Sequence, residues 1–330
     1  MGKWTIRSIA ALVAISVIAI GLLRYSAHSR EIVAFAAGLP AEGQLLETSE
    51  GAVFVLEKGD PDAPRVLLTH GTAAWSAIWR KTMADVSQAG YLATAFDMPP
   101  FGWSEHPANG DYSRSAQAER VIALLEALGD KPMVVAHSVG AGPVSEAVLQ
   151  RPDLVSGYVV VAGALGLQDR ENPKQTPFVL RNETLRQYLT SATATNPLLT
   201  RKFLRDFMYR KDVATAEMVA MLQKPMVREG YTEAVSQWVP VLFNTPRDAV
   251  SMAPANWAAL DLPFAAIWGA EDTVTPLEQG KALAAMVPNA TLTVLEDVGH
   301  IPHLEAPSEF AQALVDALQA MAQPFNQERE

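Results

Sequence analysis

Met133-Val134-Val135-Ala136-His137-Ser138-Val139-Gly140 is the stretch on which the fold of this chain turns. Its first four residues read as a short buried strand, and Pro143–Gln150 follows as a helical pattern. The serine therefore stands where a strand becomes a helix. So sharp a turn demands small residues two before and two after it, here Ala136 and Gly140, because larger side chains would collide. It also lifts the Ser138 hydroxyl to the C-terminal edge of a sheet, with a helix N-terminus behind it. A small-x-Ser-x-Gly pattern is common in isolation; its place between an apolar strand and a helix gives it weight.

Outward from this turn the same rhythm repeats. Ala52–Leu56, Val66–Thr69, Leu92–Phe96, Tyr158–Ala162, Phe264–Trp268 and Thr291–Leu295 are further strand candidates. Short continuous Val/Ile/Leu runs predict strands covered on both faces, as in a parallel sheet. Helical faces lie between them: Val121, Leu124, Leu125 and Leu128 in one, Phe310, Leu314, Leu318 and Met321 in another. Strand–helix alternation predicts an α/β fold with a mostly parallel, doubly wound sheet. Between Gly166 and Leu260 no convincing strand appears. That interval is helical in character and rich in aromatics, among them Phe178, Phe203, Phe207 and Trp238. These side chains suit either the insertion's own core or the roof of a ligand cavity.

Three more segments carry reactive groups just past predicted strands. Val66-Leu67-Leu68-Thr69-His70-Gly71-Thr72 ends a strand in His-Gly, after which the Thr72 N–H is free to face an anion. Trp268-Gly269-Ala270-Glu271-Asp272-Thr273 places acids at a strand end. Leu295-Glu296-Asp297-Val298-Gly299-His300-Ile301-Pro302-His303 puts histidines in the loop after the last strand. Each alone has an unremarkable reading as a turn, a surface carboxylate or a solvated histidine. Together they run in the order Ser…Asp…His.

That order and context resemble the α/β-hydrolase fold family over about residues 50–323. Asp97-Met98-Pro99-Pro100-Phe101-Gly102-Trp103-Ser104 and Gly299–Pro307 add to the likeness. Ala136 and Pro100 depart from it, standing where the family usually has glycine. The resemblance implies Ser138 as nucleophile, His300 as general base and then acid, and Asp272 as the group that orients the imidazole. His303 and Glu271 are the alternatives for the last two roles. The N–H groups of Val139 and Thr72 would form the oxyanion hole, and His70, Gly71, His137 and Trp103 would border the substrate pocket. His28 and His106 read as surface residues. The expected domains are a hydrolase core at 44–166 and 261–323, a helical cap at 167–260 inserted after the sixth strand, and a C-terminal tail at 324–330. Carboxylic esters are the implied small-molecule substrates. Carbon–carbon bond hydrolysis of a dienoate-type diketone is the alternative chemistry, and a non-catalytic binding protein with this fold is the alternative class. No metal or organic cofactor is implied.

Composition bounds the rest. The chain has 330 residues, 49% hydrophobic, with net charge −10 and no cysteine. Apolar content is ample for a core, which excludes a disordered chain. The negative charge repels phosphate backbones, so nucleic acid is not an expected partner. Lack of cysteine excludes disulfides, thiol catalysis and cysteine-ligated metals. Ile9–Leu23 is an uncharged apolar run preceded by Lys3 and Arg7. As a helix from Trp4 it spans about 30 Å, one bilayer core. An N-terminal membrane anchor or signal segment is expected at 1–30 and a juxtamembrane linker at 31–43. The anchored reading places the catalytic domain outside the cytoplasm. A cleaved signal would leave a secreted or periplasmic protein, and a buried core helix is the third reading. Nothing in the pattern bears on oligomeric state.

Overall fold

The fold is described from a computed structural model covering residues 3–323; the expected tail at 324–330 lies outside the described residues. Eight strands form one sheet in the order β1-β2-β4-β3-β5-β6-β7-β8. They are β1 (Gly43–Thr48), β2 (Gly51–Lys58), β3 (Arg65–Thr69), β4 (Leu92–Phe96), β5 (Met133–His137), β6 (Gly157–Val161), β7 (Phe264–Gly269) and β8 (Thr291–Leu295). β2 runs antiparallel to both β1 and β4, and every other neighbouring pair is parallel. β1 has no counterpart among the sequence candidates. It is an edge strand with no fully buried residue, so Gly43–Thr48 lacks the continuous apolar signature of an inner strand.

The alternation of side chains along each strand feeds two cores. On one face Val66, Leu68, Val135, Val159 and Ile267 pack with Met83 and Val86 of the helix Arg80–Gln88 and with Phe310, Leu314 and Leu318 of Pro307–Ala322. On the other face Leu67, Val134, Tyr158, Val160 and Trp268 meet Val121 and Leu124 of Arg114–Leu128, Val144 and Val148 of Ala141–Gln150, and Leu283 of Leu277–Met286. Burying each such side chain contributes about 1.5–3 kcal/mol, an upper figure for a real unfolded ensemble. The sheet is therefore doubly wound, and its C-terminal edge is the place left for a site.

Between β6 and β7 the chain leaves the sheet. The helices Glu183–Ala192, Thr200–Phe207, Ala216–Gln223 and Tyr231–Trp238, with several shorter turns, occupy this interval and contain no strand. Phe101 and Tyr112 from the core side pack with Tyr231, Val235 and Trp238 of the insertion.

The N-terminal helix spans Lys3–Arg30. It is the one helix among the described residues long and apolar enough to cross a bilayer. Leu12, Ile15, Val17, Ile18 and Leu22 are each more than 60% exposed, which removes the reading of a buried core helix. Its other end is tied to the insertion. Ala27 is buried, and Arg30 donates to the carbonyls of Met226 and Thr195, each at 3.1 Å. Residues 31–43 are not a free tether at their start. The N–H groups of Ile32 and Val33 donate to Val227 O at 2.9 and 3.0 Å, and Thr232 donates to the Glu31 carboxylate.

Candidate active site

β5 ends at His137, and Ser138 follows with φ = +53°, a left-handed conformation that strains a residue bearing a side chain. Ala164 N–H donates to Ser138 O at 2.9 Å and helps hold it there. The turn is crowded as its small residues foretell. A Cβ on Gly140 would lie 2.4 Å from the His70 carbonyl oxygen, and one on Gly71 would lie 2.8 Å from Ser138 Cβ. Ala136 fits where a glycine is usual, fully buried in the sheet.

The structure brings Ser138, His300 and Asp272 into one chain of hydrogen bonds. Ser138 Oγ is 2.7 Å from His300 Nε2, and His300 Nδ1 is 2.9 Å from Asp272 Oδ2. All three side chains are buried. The contact with Asp272 assigns the proton to Nδ1 and leaves Nε2 to accept from the serine. Asp272 Oδ1 accepts from the N–H groups of Val274 and Thr275, and Thr275 Oγ1 donates to Oδ2 at 2.7 Å. Burial pushes the Asp272 carboxyl up, but donation from His300 and Thr275 outweighs it and holds the group below the usual carboxylate range.

The alternatives for these positions sit elsewhere. Glu271 is exposed. His303 is buried, stacked on Trp79 with ring centroids 4.1 Å apart, and its ring nitrogens have no hydrogen-bond partner among the described residues.

Two residues beyond the sequence reading complete the arrangement. Thr275 stands three residues past Asp272, a spacing at which a side-chain oxygen commonly binds local backbone, so its role had a signal. Glu305 had none. Its carboxylate accepts from the N–H groups of Gly299 and Ile301 on either side of His300, and from Tyr209 and Arg210 of the insertion, all at 2.8–3.0 Å. The histidine loop and the insertion thus share one buried anchor.

Two cavities lie to either side of Gly71, and Ser138 lines the smaller. The smaller, about 60 Å³, is lined by Ser138, His300, His137, Thr72 and a set of apolar side chains that includes Phe203, Phe207, Leu222, Met226 and Ile301. The larger, about 270 Å³, is lined by His70, Val139, Tyr112, Arg114, Gln117, Asp169, Lys174 and Trp238, among others. Gly71 borders both. The Thr72 N–H has no acceptor among the described residues, and Val139 opens the turn after Ser138, where first-turn N–H groups lack intrahelical partners.

His70 donates from Nδ1 to Gly71 O at 2.8 Å and accepts from Met98 N–H at 3.0 Å, and burial lowers its pKa to about 4. His137 bonds His300 O at 2.9 Å through Nε2, and burial brings its pKa to about 3. Trp103 requires a correction, since it lines neither cavity. Its ring packs edge-on against Trp75 with centroids 6.4 Å apart and lies under the Arg228 guanidinium, because Asp97 accepts from Trp103 N–H and folds the loop inward. His106 is also corrected: it is not a solvated residue but is largely enclosed, with Nε2 3.2 Å from Pro100 O, and burial brings its pKa to about 3.

A nucleophile elbow, a buried Ser–His–Asp chain and a doubly wound sheet define the alpha/beta hydrolase fold. The chain belongs to that family, whose profile matches residues 64–307. It is similar to the 2-hydroxymuconate semialdehyde hydrolase of Pseudomonas putida, 27% identical over 67% of this chain and 75% of the relative. In fold it resembles the meta-cleavage product hydrolase CumD from Pseudomonas fluorescens IP01, with TM-score 0.67 at 22% identity, covering 84% of this chain and 98% of that one. It also resembles a structure described as a membrane phospholipase A, with TM-score 0.63 at 19% identity, covering 98% of this chain and 100% of the other.

Proposed function

We propose that this protein is a membrane-anchored serine hydrolase that cleaves a carboxylic ester through an acyl-enzyme on Ser138. The observation that carries this reading is the unbroken contact Ser138 Oγ–His300 Nε2–Asp272 Oδ2, at 2.7 and 2.9 Å, with Ser138 and His300 lining an apolar cavity. His300 Nε2 takes the Ser138 proton as Oγ bonds to the substrate carbonyl carbon. The oxyanion that forms is held by the N–H groups of Thr72 and Val139, each donor typically worth about 10²–10³ in rate. Asp272 stabilises the imidazolium. The carbon–oxygen bond then breaks, His300 gives its proton to the departing alkoxide, and a water attacks the acyl-enzyme with His300 again as base. The apolar 60 Å³ cavity suits a short acyl chain and the larger one the rest of the substrate.

The anchor rests on the exposed apolar length of Lys3–Arg30 and on Lys3 and Arg7 at its start, which favour an N-terminus inside and the remaining chain outside the cytoplasm. Carbon–carbon bond hydrolysis is the second reading, favoured by relatives named as 2-hydroxymuconate semialdehyde hydrolases. The same serine and histidine would serve it.

Purified protein assayed with p-nitrophenyl butyrate and a fluorophosphonate probe tests the first reading. Ser138→Ala is expected to abolish both turnover and labelling; labelling that persists removes Ser138 from its role. Inert esters beside rapid turnover of a ring-fission diketone would transfer the assignment to the second reading.

A further inference from the structure

The smaller cavity, which contains Ser138 and His300, has part of its wall fastened to the N-terminal helix. Ala194 and Met226 line that cavity and come from separate segments of the insertion. Ala194 follows the helix Glu183–Ala192, and Met226 lies in the turn Lys224–Val227. Arg30, the last residue of the helix Lys3–Arg30, joins the two segments. Its Nε donates to Met226 O and its Nη2 to Thr195 O, each at 3.1 Å. No other donor among the described residues reaches either carbonyl. One rigid guanidinium therefore sets the spacing between a lining residue and the neighbour of another.

The residues after Arg30 hold the same two segments. The N–H groups of Ile32 and Val33 donate to Val227 O, next to Met226. The Thr195 hydroxyl lies 2.8 Å from that of Thr232, which donates to the Glu31 carboxylate. Residues 30–33, which precede β1, thus back the wall of the cavity beside the nucleophile. The Arg30 side chain keeps 20% exposure, so its outer side meets water. Removing the guanidinium would leave two carbonyls without a donor, which is costly in a buried place. Their nearest replacement partner is water on the Arg30 side, away from the cavity. The two segments would move outward, and the cavity would lengthen.

We propose that Arg30 is a positioning residue for substrate selection: by bracing Thr195 and Met226 it limits the depth of the cavity beside Ser138, and so the length of acyl chain accepted. The proposal rests on the hydrolase reading above, in which that cavity holds the acyl chain. It assigns the limit on chain length to the end of the N-terminal helix.

The test uses the full-length chain in one detergent and compares p-nitrophenyl butyrate with p-nitrophenyl octanoate. The unmodified protein should prefer butyrate, since surplus methylenes cost about tenfold or more in a closed apolar pocket. Arg30→Gln should raise the octanoate-to-butyrate ratio of kcat/KM about tenfold. Arg30→Lys, a point charge without the fork, should raise it about threefold, and it bears the same test if Arg30→Gln does not fold. Arg24→Gln is the control, because Arg24 meets Gln187 of the insertion at 3.4 Å but no residue of the cavity wall; it should leave the ratio where it is. A second readout needs no turnover. The chain has no cysteine, so Ala194→Cys supplies its one thiol, on the cavity wall. The rate of modification by octyl methanethiosulfonate relative to the butyl reagent should rise about threefold or more when Arg30→Gln is added. That rise in a protein that cuts no ester would retire the hydrolase reading and keep the brace. Octanoate cleaved as readily as butyrate by the unmodified protein, a ratio that stays or falls in Arg30→Gln, an equal rise in Arg24→Gln, or a thiol ratio that Arg30→Gln does not move would overturn the proposal.

Discussion

At Asp272 one carboxylate does two jobs with its two oxygens. Oδ1 closes its own turn by accepting from Val274 and Thr275, and Oδ2 faces His300. Thr275 is the residue that links the two, because its hydroxyl donates to Oδ2 and stabilises the charged form. Two outcomes follow in steady-state assays with p-nitrophenyl butyrate. Asp272→Asn should lower kcat by about 10³–10⁴, since the amide no longer imposes the tautomer in which Nε2 accepts from Ser138. Thr275→Ala should lower kcat about tenfold and move the acid limb of the kcat/KM profile to higher pH. The sign follows from the lost donor: without it the Asp272 pKa rises, so the carboxylate is protonated, and the imidazolium loses its partner, at a higher pH. An acid limb that stays in place or moves down would contradict the role given to Thr275.

At the scale of elements, the strand–turn–helix unit around Ser138 works because two loops touch at backbone distance. Gly140 lies under the His70 carbonyl, and Gly71 lies against Ser138. Gly140→Ala should therefore force β3 and β5 apart at their C-terminal ends, destabilising the protein by about 1–3 kcal/mol, as overpacking does. Thermal unfolding should show a Tm lower by several °C, with esterase activity per folded molecule reduced as well, because Gly71 and Thr72 follow His70 directly. An alanine variant with unchanged Tm would mean that the approach is looser than 2.4 Å implies. The strain at Ser138 belongs to the same unit. A residue with φ = +53° costs on the order of 1–3 kcal/mol and is held by its neighbours.

Across the whole molecule, burial of histidine sets the response to acid. Burial holds His70 near pKa 4 and His106 and His137 near 3, and it lowers His303 well below the usual value, with the neighbouring His137 and His300 adding to the effect. In the unfolded chain these groups titrate near 6.5, so between about pH 6.5 and 4 the unfolded state binds more protons and stability falls as pH falls. A fully buried histidine shifted to about 4 contributes on the order of 3 kcal/mol across that window. Asp97 has the opposite sign. Burial raises its pKa to about 6, and its contribution to stability declines as pH rises from about 4 to 6. Burial raises the Glu31 carboxyl as well, and the four histidines outweigh these two carboxyls. His303→Phe, which keeps a ring against Trp79 and removes one of these protonations, should make the fall in urea midpoint between pH 7 and 4.5 shallower. An equally steep fall would show that His303 is not among the groups that drive it. The N-terminal helix gives a second test at this scale. Full-length protein should sediment with membranes without detergent, whereas a chain lacking residues 1–23 should remain in the supernatant and stay folded, because Ala27 stays buried and Arg30 and Glu31 keep their hydrogen bonds to the insertion.

What the sequence by itself determined was local. The inner strands, the elbow at Ser138 and the two flanking faces of helix were readable because continuous apolar runs, small residues at ±2 and helical spacing act through neighbours a few residues apart. The edge strand Gly43–Thr48 was not, since half-exposed strands carry little of that signal. Only the tertiary structure decided which of two adjacent acids faces the histidine, that Glu305 clasps both the His300 loop and the insertion, and that Trp103 turns away from the cavities. Each of these is a matter of contact between groups tens to hundreds of positions apart, where direction and distance come from packing and no local spacing records them.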